Sequence, residues 1–232
     1  MRTRLFRLFG LTQASAPSDR AWPVQPQALE RRSTWTSGCG TPLTLRAMRS
    51  DDAALLGELF EVQLSRAARY NRFHGAVGRL SAARLAWMAD TDFKHHVAFI
   101  VTRREDGLEH AVAEGRWVRT ALNPGAEFAL SVADAWQGCG IGQRLLAALV
   151  QTGREQGLPC LMGDVLPGNQ AMQSLARSQG FECSAHPEDA ELMRAELRLN
   201  TPRRRQANAF SAFTAAAWQP TSRNPHAKLH LP

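Results

Sequence analysis

The stretch "DAWQGCGIGQRLLAAL", Asp134–Leu149, carries Gly138, Gly140 and Gly142 at alternate positions and runs directly into an apolar-periodic segment. Glycine permits positive φ and lets a ligand approach the backbone closely. A helix starting there presents unpaired N–H groups and the positive end of its dipole. The chemistry on offer is anion binding, typically of phosphate. A P-loop ends in Gly-Lys-Ser/Thr, whereas Gly142 is followed by Gln143 and Arg144. A dinucleotide fingerprint spaces its glycines GxGxxG after an early strand, whereas this turn reads GxGxG late in the chain. What remains is Gln-x-x-Gly-x-Gly, formed by Gln137, Gly140 and Gly142. Just upstream, "AEFALSV" sets Glu127 on the strand that feeds the turn, as a proton acceptor or as an exposed strand Glu paired with an Arg.

Other chemical groupings are weaker. His95 and His96 open a strand, so their side chains point to opposite faces and do not share a metal. No metal site is expected. Ser131 lacks the GxSxG elbow of a serine hydrolase. Cys39, Cys139, Cys160 and Cys183 show no CxxC spacing and read as free thiols in a reducing cytoplasm. Arg66, Arg69, Tyr70, Arg72 and Phe73 read as a helix end plus an exposed loop, either a solvated face or the border of a groove.

The elements that must position these groups follow from periodicity and turn chemistry. "LTLRAM" reads as a strand, and Ser50 as the cap of a helix through "DDAALLGELFEVQL". Ser81 caps a second helix, "AARLAWMAD". Three strands follow, "HHVAFIVTRR", "GLEHAVAEGRWVRT" and "GAEFALSVA", separated by the Asp106–Gly107 and Asn123–Pro124–Gly125 turns. They form an antiparallel meander. The glycine turn then opens a helix of about four turns, followed by strand "LPCLMGDVL", helix "NQAMQSLARSQG" and strands "FECSAH" and "ELMRAELRLN". The order β-α-α-β-β-β-α-β-α-β-β predicts an α/β (mixed α+β) fold, a mostly antiparallel sheet flanked by helices.

The net charge of +7 over 232 residues is concentrated at the ends. Residues 1–40 carry a net +4 and residues 200–232 a net +5, while 41–199 carry a net −2. This layout argues against nucleic acid as the main partner. The expected organisation is a poorly ordered basic leader at 1–42, a folded body at 43–199 and a basic tail at 200–232. In the leader, Trp22 and Trp35 could dock on the body. In the tail, Phe210, Phe213, Ala217 and Trp218 could share a helical face. The start "MRTRLFRLFG" lacks a secretory core, and no apolar run approaches the roughly 18 residues of a membrane span.

With these residues in view, the chain resembles the GNAT superfamily of acyl-coenzyme A-dependent N-acyltransferases over residues 43–199. The carriers are Gln137, Gly140 and Gly142, the element order, and Asn169 followed by Gly180-Phe181. "AEFALSVADAWQGCGIGQRLL", "SRAARYNRFHG" and "NQAMQSLARSQGF" resemble in particular the GNAT domain of bacterial Pat-type protein lysine acetyltransferases. The resemblance implies acetyl-CoA as co-substrate and transfer of its acetyl group to a primary amine, by direct attack in a ternary complex. A protein lysine is the leading acceptor and a small-molecule amine the alternative; a non-catalytic acyl-CoA sensor is a third reading. Glu127 is implied as general base, its pKa raised by burial near Phe128 and Trp136. The strand carrying Leu130, Ser131 and Val132 is implied to splay and bond the pantetheine arm. Amides from Gly138, Cys139, Gly140, Ile141, Gly142 and Gln143, in the turn opened by Gln137, are implied to hold the pyrophosphate. Asn169 is implied to contact the coenzyme arm, a role compatible with capping its helix. Two positions depart from the family pattern. Ala176 stands where many members have a Tyr that protonates the thiolate, and Cys139 stands where Arg is common.

Overall fold

The computed structural model describes residues 26–119 and 125–199. The Met1–Gly10 start, Trp22, the Asn123–Pro124 turn and the tail with Phe210, Phe213, Ala217 and Trp218 lie outside the described residues.

Eight strands form one sheet: β1 (Arg32–Thr36), β2 (Pro42–Ala47), β3 (His96–Glu105), β4 (Leu108–Arg119), β5 (Ala126–Val132), β6 (Cys160–Val165), β7 (Glu182–Ala185) and β8 (Met193–Arg198). Their spatial order is β1-β2-β3-β4-β5-β6-β8-β7. Every neighbouring pair is antiparallel except β5–β6, which is parallel. The helices are α1 (Pro26–Leu29), α2 (Ala53–Glu58), α3 (Arg66–Phe73), α4 (Ala82–Ala89), α5 (Ile141–Glu155) and α6 (Gln170–Ser178).

The alternation of β3 explains the two-layer packing. Val97, Phe99 and Val101 join a core with Leu145 and Leu149 of α5. Ala98 and Ile100 join a second core with Leu56 of α2 and Met88 of α4. A strand covered on both faces reads as a continuous apolar run, which is why "HVAFIV" stands out in the sequence.

Three expectations are corrected. Residues 32–36, assigned by composition to a poorly ordered leader, form edge strand β1 on β2. Tertiary contacts hold it: Trp35 packs on the core with the Arg144 guanidinium 4.9 Å from its ring centre, and Arg31 Nη2 donates to both Glu155 carboxylate oxygens at 2.8 Å. Residues 66–73, read as a helix end plus loop, form helix α3. Ser65 Oγ accepts from Ala68 N at 3.1 Å as its N-cap, and burial of Arg72 and Phe73 fixes its inner face. Ser50 is not a cap. The Asp52 carboxylate closes the turn instead, reaching back to accept from Arg49 N at 2.8 Å and from buried Arg46 at 2.7 and 2.8 Å.

A buried ionic network joins the sheet to the helices of the second core. Glu114 on β4 is fully buried and accepts from Arg72 Nε of α3 at 3.0 Å and from Arg116 Nε at 2.9 Å. Arg116 Nη1 donates to Met88 O of α4 at 2.6 Å and to His96 Nε2 at 3.1 Å. The other His96 nitrogen, Nδ1, lies 3.1 Å from Asp90 O and donates to it. The ring is therefore held neutral, and burial, followed by the Arg116 charge, pushes its pKa down to about 3. Unfolding returns it to the usual value near 6.5. Between these values the unfolded chain binds the extra proton, so stability is lost as pH falls from about 6.5 toward 3. Urea denaturation at pH 7 and pH 5 should show a lower midpoint at pH 5; equal midpoints would exclude this coupling.

Candidate active site

β5 and β6 pair only at Ala126–Leu161 and Glu127–Met162, then diverge. Phe128 is the wedge. Its ring lies where a side chain on Gly163 would stand, with Cε1 2.7 Å from that Cβ position, and it packs on Phe181 with ring centres 4.9 Å apart. The gap opens a cleft of about 660 Å³. Its walls come from both faces of the sheet: Ala68, Asn71 and Arg72 of α3 on one side, Leu175 and Ser178 of α6 on the other. The cleft thus passes through the sheet at the splay.

Hydrogen-bond parity decides what faces the gap. Ala133 N donates to Val112 O on β4. In an antiparallel ladder the same side is then taken at Ser131 and Ala129. The main-chain groups of Leu130 and Val132 consequently point into the splay, and Val132 O accepts from the side chain of Gln137 at 3.2 Å. Ser131 lines the cleft, and its buried Oγ has no hydrogen-bond partner among the described residues.

The glycine turn closes one end of the cleft. Gly138 and Gly140 have φ of 76° and 77°, conformations in which side chains are strained. α5 starts directly after Gly140 with no side-chain cap and no acidic residue in its first turn. By contrast, α3, α4 and α6 are capped by Ser65, Ser81 and Asn169. Ile141, Gly142 and Gln143 line the cleft, so the uncapped first turn of α5 stands at the cleft, an arrangement suited to an anion. Asn169 lines the same cleft while its Oδ1 accepts from Met172 N at 3.1 Å, which leaves its amide NH₂ to donate. Gln137 and Gly138 are also on the wall, but Cys139 is not: its thiol turns back toward Gln137 O at 3.7 Å. Ala176 is fully buried in the core and presents nothing to the cleft.

Glu127 lies beside the cleft rather than on its wall, which is formed there by Phe128, Arg72 and Asp164. The alternation of β5 puts its side chain on the α3 face, together with Glu114, Arg116 and Ser131. Its carboxylate has no hydrogen-bond or ion-pair partner among the described residues. Burial first, and the Asp164 carboxylate second, push its pKa up to about 8, while Arg194 and Arg72 pull it back. Sequence reasoning placed Glu127 near Phe128 and Trp136, but Phe128 points to the opposite face of β5, and the neighbouring Asp164 was not foreseen. Asp164 Oδ1 accepts from Arg194 Nε at 2.7 Å and lies 3.5 Å from His186 Nε2, so it is held in place by β8 and the loop before it. His74 also borders the cleft; burial holds its pKa below the usual range against the pull of Asp164. The signal for Asp164 was present as the single charge within the apolar strand "CLMGDVL". Elsewhere, His95 pairs with Asp92 on the surface, while His96 belongs to the buried network.

A mixed sheet with one splayed parallel pair, an uncapped glycine turn at the gap and a basic-shifted carboxylate beside it is an acyl-coenzyme A transferase architecture. The chain belongs to the GNAT acetyltransferase family: the model of the Acetyltransferase (GNAT) domain matches residues 42–182. Members of this family use acetyl-CoA as acetyl donor, and the chain is an acetyltransferase. It is 28% identical over 151 residues to Acetyltransferase PA5475 of Pseudomonas aeruginosa, covering 65% of this chain and 81% of that protein. It is 32% identical over 115 residues to Acetyltransferase Pat of Mycolicibacterium smegmatis, covering 49% of this chain but 34% of that protein. Among solved structures, the GNAT domain of S. lividans PAT superposes with a TM-score of 0.64 at 27% identity, covering 72% of this chain and 97% of that one. No helix among the described residues is long and apolar enough to cross a membrane, and no group of three His, Cys, Asp or Glu residues among them could hold a metal ion.

Proposed function

We propose that the chain transfers the acetyl group of acetyl-CoA to a primary amine, a protein lysine in the leading case, with Glu127 as general base. The observation that carries this reading is the Glu127 carboxylate: half-buried, without a partner among the described residues, basic-shifted to about 8 and set beside the splay. An ammonium has no lone pair, so a lysine must lose its proton before it attacks. A carboxylate with a pKa near 8 is matched to that task at mildly alkaline pH. The pyrophosphate sits on the N–H groups from Gly138 to Gln143, and the pantetheine arm bonds the main chain of Leu130 and Val132 in the gap. Ser131 Oγ and the Asn169 amide supply further donors to the arm. The amine enters from the α3 side, where the Glu127 carboxyl stands beside the splay. It attacks the thioester carbon directly, Glu127 takes the proton, and coenzyme A leaves as thiolate. With Ala176 in the core, water supplies the thiolate proton. The setting is cytoplasmic, where acetyl-CoA and free thiols coexist.

The distinguishing experiment offers acetyl-CoA with lysine peptides and with small amines, reading thiol release and acetylated product by mass spectrometry. Peptide acetylation supports the leading case; turnover with small amines alone supports the alternative, and binding without turnover makes the chain a sensor. The turn makes its own prediction. Gly140→Val forces a β-branched residue to positive φ, a cost of roughly 1–2 kcal/mol, and should raise the KM for acetyl-CoA about tenfold with the fold intact by circular dichroism. An unchanged KM would remove the turn from the binding site.

A further inference from the structure

Two thiols meet beside the glycine turn. Cys39 lies exposed in the turn between β1 and β2, and Cys139 lies in the turn before α5. They are 100 positions apart, yet the fold makes the two thiols neighbours, close enough for Cys39 to act on Cys139. The proximity is built by the fold. β1 runs alongside α5 in the opposite direction: Arg31 at its start holds Glu155 at the helix end, and Trp35 near its finish lies under Arg144 in the first helical turn. The turn that continues β1 must then arrive beside the turn that precedes α5. Ser37 shapes it, accepting from Gly40 N at 2.9 Å through its carbonyl and from Thr41 N at 3.2 Å through its hydroxyl.

Each cysteine is flanked by glycines, in Gly38-Cys39-Gly40 and Gly138-Cys139-Gly140, and nothing lies within 4 Å of a side chain placed at any of these four glycines. Both turns therefore have room to shift, so that the neighbouring sulfurs can close to the roughly 2.05 Å of a disulfide. The Cys139 side chain is off the cleft wall, while the backbone on either side of it is on that wall. A bond formed there acts on the glycine turn from behind.

We propose that Cys39 and Cys139 form a reversible disulfide that ties the glycine turn to the β1–β2 turn and weakens binding of acetyl-CoA. The oxidant is a peroxide. The exposed Cys39 thiol gives up its proton, and the thiolate attacks one peroxide oxygen, breaking the O–O bond and giving a sulfenic acid and hydroxide, which takes up that proton and leaves as water. The Cys139 thiol then attacks the sulfenic sulfur, forming the S–S bond and releasing a second water. Two thiols and one peroxide thus become one disulfide and two waters. Desolvation, and then the neighbouring Cys39 thiol, push the Cys139 thiol up, so the resolving step quickens as pH rises. By linkage, bound acetyl-CoA must oppose the disulfide as much as the disulfide opposes acetyl-CoA.

The proposal rests on the glycine turn as the pyrophosphate site, and the test separates the two. The reduced full chain is treated with hydrogen peroxide, digested without reductant and examined by mass spectrometry, and acetyl-CoA affinity is measured before and after. A peptide pair joining Cys39 to Cys139 is expected. Affinity should fall at least about tenfold, within the usual range of coupling between linked sites, and dithiothreitol should restore it. Cys39→Ser should keep its affinity through the same treatment, and acetyl-CoA present during oxidation should slow cross-linking. Binding by the reduced protein with no joined peptide, or a joined peptide with unchanged affinity, overturns the switch alone. If the reduced protein does not bind acetyl-CoA, the pyrophosphate reading falls and the switch falls with it.

Discussion

Glu127→Gln is expected to leave acetyl-CoA affinity unchanged and to lower kcat at pH 8.5 by about 10²–10⁴-fold, the usual contribution of a positioned general base. The substitution keeps the size of the side chain and removes its basic oxygen. It leaves the uncapped start of α5 and the main chain of Leu130 and Val132 untouched, so the coenzyme should still bind. The loss should be largest above pH 8, where the wild-type carboxylate is ionised. Near pH 7 about a tenth of it is ionised, so the two proteins should differ less there. Full turnover in the variant would leave the free amine to attack unaided and would exclude Glu127 from the mechanism.

The second large effect is on stability. Glu114 is fully buried between Arg72 and Arg116. Burial alone would push its carboxyl up; Arg116 and Arg72 together hold it below its usual range, so it is ionised in the folded protein. Removing one member of such a group leaves buried charge without its counter-ion, at a cost of about 3–5 kcal/mol. Glu114→Gln should therefore lower the Tm by roughly 10 °C for a chain of this size. Because Arg72 carries this link from α3 to β4, the variant should also raise the KM for the amine more than the KM for acetyl-CoA. A Tm within a degree or two of wild type would mean that the network contributes little and that α3 is held by other contacts, such as that of Phe60 with Phe73, whose ring centres lie 5.5 Å apart.

What could be read in advance was local. Gly138, Gly140 and Gly142 sit in six consecutive residues with Gln137, and the helix that follows is continuous in sequence, so the glycine turn and the helix start were legible from spacing. Glu127 was legible as a carboxylate on the preceding strand, and the family resemblance assigned it a role. The meander before it followed from the burial of β3 on both faces and the Asp106–Gly107 turn, where both residues take positive φ. Features made by distant pairing stayed hidden. Asp164 reaches Glu127 only after β5 and β6 pair, and Arg72 reaches Glu114 across 42 positions. β1 owes its place to Trp35 and Arg31 meeting α5, against a local composition rich in turn residues. Likewise the two Gly-Cys-Gly turns are visible in the sequence, but only the alignment of β1 with α5 brings them together.

The central claim is that Glu127 removes a proton from an amine held at the splay. The most direct measurement is the pH dependence of kcat for a lysine peptide, in the wild type and in Glu127→Gln. The wild-type rate should climb with pH and level off above about 8, following ionisation of the Glu127 carboxyl. In the variant this inflection should vanish, leaving a low rate that rises only with the free amine, toward its pKa of about 10.4. The same inflection near 8 in both proteins would contradict the account.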